Sequence, residues 1–150
     1  GDAYLKYAHQ LARMYEDSEQ FVEAGFTLLL HANMLEWSDR PLPAQLHFPA
    51  QSSRERKRQI LEQVLALFER GKAWEHAISV LNQIADAQRT TIYNYFDIAN
   101  VLRRQAELYE KIMLEDRFFP SYFYVAYYGD FPKALRVSFF FFFFFFVPPQ

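Results

Sequence analysis

Apolar positions along the chain recur at steps of three and four residues, in runs separated by short polar breaks, the period of helices that bury one face. Leu5, Ala8, Leu11, Ala12 and Tyr15 form the first run, which predicts a helix ending near Glu16. Asp17 or Ser18 is placed to cap a second helix, with Gln20 spaced to answer Asp17 in a capping box. Phe21, Ala24, Leu28 and Leu35 mark the core face of that helix, and Phe26, Leu29, Leu30 and Met34 widen the stripe. A helix apolar around most of its circumference must be packed on several sides, so this second helix is expected to be the central one.

Between Trp37 and Ser53 the periodicity stops, and Pro41, Pro43 and Pro49 remove donors that a helix needs, which predicts the longest loop here. A third helix follows Ser52 or Ser53 and buries Leu61, Val64, Leu65 and Phe68, with Gly71 suited to the left-handed residue past its end. Trp74, Ala77, Ile78, Leu81 and Ile84 trace a fourth helix. Thr90 or Thr91 opens a fifth, whose apolar stripe is Phe96, Ala99, Leu102, Ala106, Tyr109 and Met113. The expected fold class is therefore all-α, an antiparallel helical array of TPR-like helix pairs over residues 1–117.

At Phe118 the character changes. Pro120 to Tyr128 is aromatic and β-branched and is closed by Gly129, which predicts one or two short β segments near residues 120–129. A solitary strand leaves its backbone groups unpaired, so residues 118–136 read as the start of an incomplete β lobe. Phe139 to Phe146 is an unbroken run of eight phenylalanines, and 137–150 reads as a low-complexity tail outside the fold. Val137-Ser138 is encodable by GTGAGT, a splice-donor-like sequence, with the phenylalanines read from an intronic T-tract, so a retained intron is one expectation. The start at Gly1-Asp2-Ala3-Tyr4, with no methionine or signal-peptide layout, reads as a piece of something longer.

The 150 residues suffice for one core, and a formal net charge of −2 gives nucleic acid no broad basic field to bind. The absence of cysteine excludes disulfides, thiolate catalysis and cysteine-ligated zinc, and favours a cytoplasmic setting. His9, His31, His47 and His76 are scattered without metal-ligand spacing, and each reads as structural or surface. Gly25, Gly71 and Gly129 stand alone, so no phosphate-cradling loop is present, and Ser79 and Ser121 lack the setting of a hydrolase nucleophile. The basic cluster Arg54, Arg56, Lys57 and Arg58 is interrupted by Glu55 and reads as a solvated face, though cations in a first helical turn leave room for an acidic neighbour. Trp74 reads as core and Trp37 as a packed helix end. No catalytic, cofactor-binding or metal-binding residue is assigned, and no cofactor is expected.

Three ordered stretches carry a family likeness. Glu23-Ala24-Gly25-Phe26-Thr27-Leu28-Leu29-Leu30-His31-Ala32, continuing to Leu35-Glu36-Trp37-Ser38-Asp39, resembles a segment near the start of the exchange-factor (DOCKER) domain of dedicator-of-cytokinesis, or DOCK, proteins. Phe68-Glu69-Arg70-Gly71-Lys72-Ala73-Trp74-Glu75-His76-Ala77-Ile78 resembles the family's helix-turn-helix with Gly-Lys-x-Trp-Glu. Tyr127-Tyr128-Gly129, Phe131-Pro132 and Leu135-Arg136 resemble the opening of its sheet. This chain departs from that pattern by having Asp130 alone between the glycine and Phe-Pro, by Ala134, and by everything after Arg136.

The resemblance implies a three-lobed guanine nucleotide exchange domain for Rho/Rac-type small GTPases, of which the chain matches the first, helical lobe and the threshold of the second. In the family a valine of the last lobe disturbs nucleotide and magnesium, and no residue here corresponds to it. The implied role is a scaffold lobe, inactive alone, with partners in the GTPase and the remainder of the domain, and with self-association open. Trp37-Ser38-Asp39-Arg40-Pro41-Leu42 looks more like the Rac-directed branches. The competing reading is a free-standing helical-repeat interaction module, which lacks a 34-residue self-match; a third makes the phenylalanine tail a shallow membrane anchor.

Overall fold

A computed structural model describes residues 2–116 of the chain. The expected β segments near 120–129 and the tail from 137 lie outside the described residues.

Five α-helices follow one another: α1 (Asp2–Asp17), α2 (Phe21–Asn33), α3 (Ser53–Arg70), α4 (Trp74–Ala87) and α5 (Tyr95–Leu114). Each packs on the next. The chain reverses between neighbours, so α1 and α3 run the same way, as the Glu16–Arg70 ion pair near their C-terminal ends records. Arg58 of α3 pairs with Asp97 near the start of α5, and Arg104 farther along α5 pairs with Glu62 and Glu69, so α3 and α5 are also parallel. The antiparallel all-α array expected from the apolar periods is the observed architecture.

Two of the turns share one device. Glu19 and Lys72 hold positive φ, 58° and 52°, and the residue after each returns a hydrogen bond five residues back, Gln20 to Tyr15 and Ala73 to Phe68, both at 2.8 Å. These 6→1 bonds satisfy carbonyls that each helix end would leave unpaired. The Asp17–Gln20 capping box is therefore absent: Gln20 itself precedes α2 and makes no side-chain cap. Lys72, not Gly71, takes the left-handed position, and Gly71 has φ −80°. Gly71 is small for a different reason, since a Cβ there would lie 2.7 Å from Val22 Cγ2 at the start of α2.

The central helix is α3, not α2. Ile60, Leu61, Val64, Leu65, Leu67 and Phe68 of α3 are buried between α2 and α4. α2 buries only one side, through Ala24, Gly25, Leu28, His31 and Ala32, while Phe26, Leu30 and Met34 are exposed. The close approach of α2 to α3 explains the small residues: a Cβ on Gly25 would lie 2.6 Å from Phe68 Cε1. Trp74, Ala77, Ile78, Leu81 and Ile84 of α4 are core, as expected.

The stretch after α2 is ordered by α3. Pro41–Leu42 (β1) and Gln51–Ser52 (β2) form an antiparallel pair with Pro41 opposite Ser52, and Gln45 and Phe48 bridge within the connection. Ser52 caps α3 in a full capping box with Glu55, and its N–H and hydroxyl hold the Glu55 carboxyl below the usual range. α4 runs on through a turn of π-helix at Gln88–Ile92, and Asn94, rather than Thr90 or Thr91, caps α5 by accepting from the Asp97 N–H.

Candidate functional site

The scattered histidines converge. His9 of α1 and His31 of α2 are buried and share a hydrogen bond, Nε2 to Nδ1, at 2.9 Å. His47, from the loop after β1, packs its ring edge on His9 at 5.5 Å, and Phe48 lies against all three imidazoles. Burial is the largest influence on the buried pair and lowers both pKa values from 6.5 to about 4, with His31, His47 and Arg13 adding to the effect on His9, and Arg56 and His47 on His31. The pair is neutral at physiological pH, one ring donating and the other accepting. No group of three or more candidate ligands among the described residues is arranged to hold a metal ion. His76 is apart from them, packed edge-on against Phe26 and tilted against Phe68.

The basic cluster is not a solvated face. Arg56 is 1% exposed and Lys57 6%. Arg56 Nη2 donates to the Pro43 and Pro49 carbonyls at 2.7 and 3.0 Å, and Nη1 to Gln45 Oε1 at 3.4 Å, so the guanidinium gathers the proline-rich loop that the sequence leaves without local structure. Lys57 Nζ donates to the Leu35 carbonyl at 2.8 Å and lies 5.4 Å from the Trp37 ring, closing the end of α2. Arg54 and Arg58 find the acidic neighbours that first-turn cations leave room for, Asp39 and Asp97. A Lys/Arg cluster in sequence carries no sign of which members will be buried; Pro43 and Pro49, whose carbonyls join no ladder, are the available signal.

The apolar stripe of α5 faces outward. Ile98, Val101, Gln105 and Leu108 are the buried positions, with Gln105 Nε2 donating to Asn82 Oδ1 of α4 at 2.6 Å. The stripe expected to be core, Phe96, Ala99, Leu102, Ala106, Tyr109 and Met113, lies on the other side: Phe96 is 79% exposed, Tyr109 56% and Met113 84%. With Tyr95 it runs Tyr95, Ala99, Leu102, Ala106, Tyr109, Met113, steps of 4, 3, 4, 3 and 4, the spacing of a seam for another helix. α5 thus has two apolar faces, one covered by α4 and one that the described residues leave largely exposed.

No helix among the described residues is long and apolar enough to cross a membrane. No family model matches the chain. Over 136 residues, 90% of its length, it is 36% identical to dedicator of cytokinesis protein 3 and 38% identical to dedicator of cytokinesis protein 4, both of Homo sapiens. It is 30% identical over 139 residues to DOCK-like protein 1 of Saccharomyces cerevisiae. The chain spans 7% of the length of each of these relatives.

Proposed function

The chain belongs to the dedicator-of-cytokinesis family over the matched nine-tenths of its length, and from that premise we propose that residues 1–117 are the helical scaffold lobe of a guanine nucleotide exchange domain. The whole domain acts in the cytoplasm on a Rho/Rac-type small GTPase, of the Rac branch by the Trp37 to Leu42 segment. Exchange is catalysis by differential binding: the complete domain stabilises the nucleotide-free GTPase, and no covalent bond is made or broken. This lobe contributes no group to that step and is inactive alone.

The observation that carries the reading is the uncovered α5 seam. A helix spends an exposed row of tyrosine, leucine and methionine when another element is to cover it, because exposed apolar surface otherwise favours association. The remainder of the parent protein supplies that cover in the scaffold reading, and in the isolated chain the same row supports self-association.

Fluorescent-GDP release from a Rac-type GTPase tests the proposal, with this chain compared against the complete exchange domain of the parent protein and against that domain carrying Leu102→Glu and Tyr109→Glu. Release by the complete domain alone, reduced by the seam substitutions, is the expected pattern. Release by this chain alone overturns the inactive-scaffold assignment.

A further inference from the structure

Six side chains on α1 and the turn after β1, Lys6, His9, Gln10, Arg13, Leu46 and His47, line a cavity of about 290 Å³. Every charged or titratable member of that lining is basic. Elsewhere among the described residues the cations are largely matched with carboxylates: Arg54 with Asp39, Arg58 with Asp97, Arg70 with Glu16, Lys72 with Glu115, Arg89 with Asp86, Arg104 with Glu62 and Glu69. Lys6 and Arg13 have no such partner among them. Glu16, which lines a smaller adjoining cavity with Arg13, His9 and His47, is already engaged by Arg70.

Two features fix the geometry. Lys6, Gln10 and Arg13 stand at i, i+4 and i+7 on α1 and therefore project from one face. The Arg56 guanidinium and the Gln45–Phe48 bridge hold the opposite wall, and Phe48 packs His47 against His9. The buried member of the lining is His9, whose Nε2 is held by His31 behind it, and no carboxylate lines the cavity.

We propose that this cleft binds a phosphomonoester group, with Arg13 and Lys6 matching its charge and His47 and Gln10 donating to its oxygens. A phosphomonoester near neutral pH carries about −1.5 to −2 charges and three acceptor oxygens, which suits a converging guanidinium, ammonium, amide and imidazole. Positive surroundings already act on the histidines: His47 has its pKa lowered by burial first and by Arg13 second. A bound dianion reverses the sign of that local field.

The test uses the full 150-residue chain and the ring resonances of His9 and His47 followed by NMR, with inorganic phosphate and glycerol 3-phosphate as soluble probes at constant ionic strength. Saturable binding is expected, with the His47 titration midpoint displaced upward. Lys6→Gln and Arg13→Gln, both at exposed helix positions that leave the helical circular dichroism unchanged, are each expected to weaken binding at least ~5-fold. Co-sedimentation with phosphatidylcholine vesicles, with and without phosphatidic acid, separates the sources: binding to soluble probes assigns a small phosphate ester, and binding only to phosphatidic acid vesicles assigns a lipid headgroup. Absence of binding in both arms, binding insensitive to both substitutions, or equal affinity for sulfate overturns the proposal.

Discussion

The imidazoles of His9 and His31 meet at 2.9 Å across the α1–α2 interface, and the charged or titratable groups acting on them are Arg13, Arg56 and His47, so each added proton meets repulsion. Both folded-state pKa values, about 4, lie below the ordinary 6.5. Unfolding therefore takes up protons between pH 4 and 6.5, and stability rises with pH across that window. It is fully present above pH 6.5, falls as pH drops below that, and the histidine contribution is lost by pH 4. Urea unfolding at a series of pH values is expected to show uptake of close to two protons near pH 5, and His9→Gln to reduce it. A flat profile between pH 5 and 7 contradicts the buried neutral pair.

Gly25 and Phe68 set the spacing of α2 and α3. A Cβ at Gly25 overlaps the Phe68 ring at 2.6 Å, so Gly25→Ala overpacks the interface and is expected to cost about 1–3 kcal/mol despite the better helix propensity of alanine. Phe68→Ala alone costs about 3–5 kcal/mol. The double substitution is expected to be less destabilising than the sum, because the cavity accepts the new methyl. Additive thermal-unfolding results place the two residues out of contact.

The five helices and most core residues are legible from periodicity alone, because Leu61, Val64 and Phe68 of α3, and Ala77, Leu81 and Ile84 of α4, repeat at three- and four-residue steps whatever covers them. Periodicity does not say what covers a face. Phe26, Leu30 and Met34 widen the stripe of α2 as convincingly as core residues, and only the close approach at Gly25 and Ala24 reveals which side meets α3. On α5 two apolar rows compete, and the row chosen from sequence is the exposed one. The histidine cluster was hidden for a different reason: His9, His31 and His47 sit on three separate elements, and no local spacing encodes their meeting.

Arg56 determines the loop after α2. Its guanidinium is buried and donates to the Pro43 and Pro49 carbonyls, so Arg56→Met removes the donors and leaves both part-buried carbonyls without this partner, at an expected cost of about 1–3 kcal/mol. Arg56→Lys keeps one nitrogen able to donate to both carbonyls but loses the second arm of the fork, Nη1 to Gln45 Oε1, so it is expected to recover only part of that cost. Limited proteolysis is expected to cut both variants within residues 40–50 faster than the parent chain. Equal cleavage rates and unchanged Tm for Arg56→Lys contradict the role given to the fork.

The two faces of α5 separate stability from association. Leu108 is 2% exposed and Met113 84%. Leu108→Ala is expected to lower stability by about 2–5 kcal/mol, since it opens a cavity in the core. Leu102→Glu with Tyr109→Glu on the outer row leaves the core intact, and its stability change is expected within about 0.5 kcal/mol per site. Those outer substitutions place carboxylates in the middle of the heptad-spaced seam, where any covering helix leaves them desolvated. Sedimentation velocity of the chain is expected to show concentration-dependent association that the outer pair abolishes and Leu108→Ala does not. If the outer pair instead unfolds the chain while Leu108→Ala is tolerated, the stripe is core, and the uncovered seam that supports the scaffold reading does not exist.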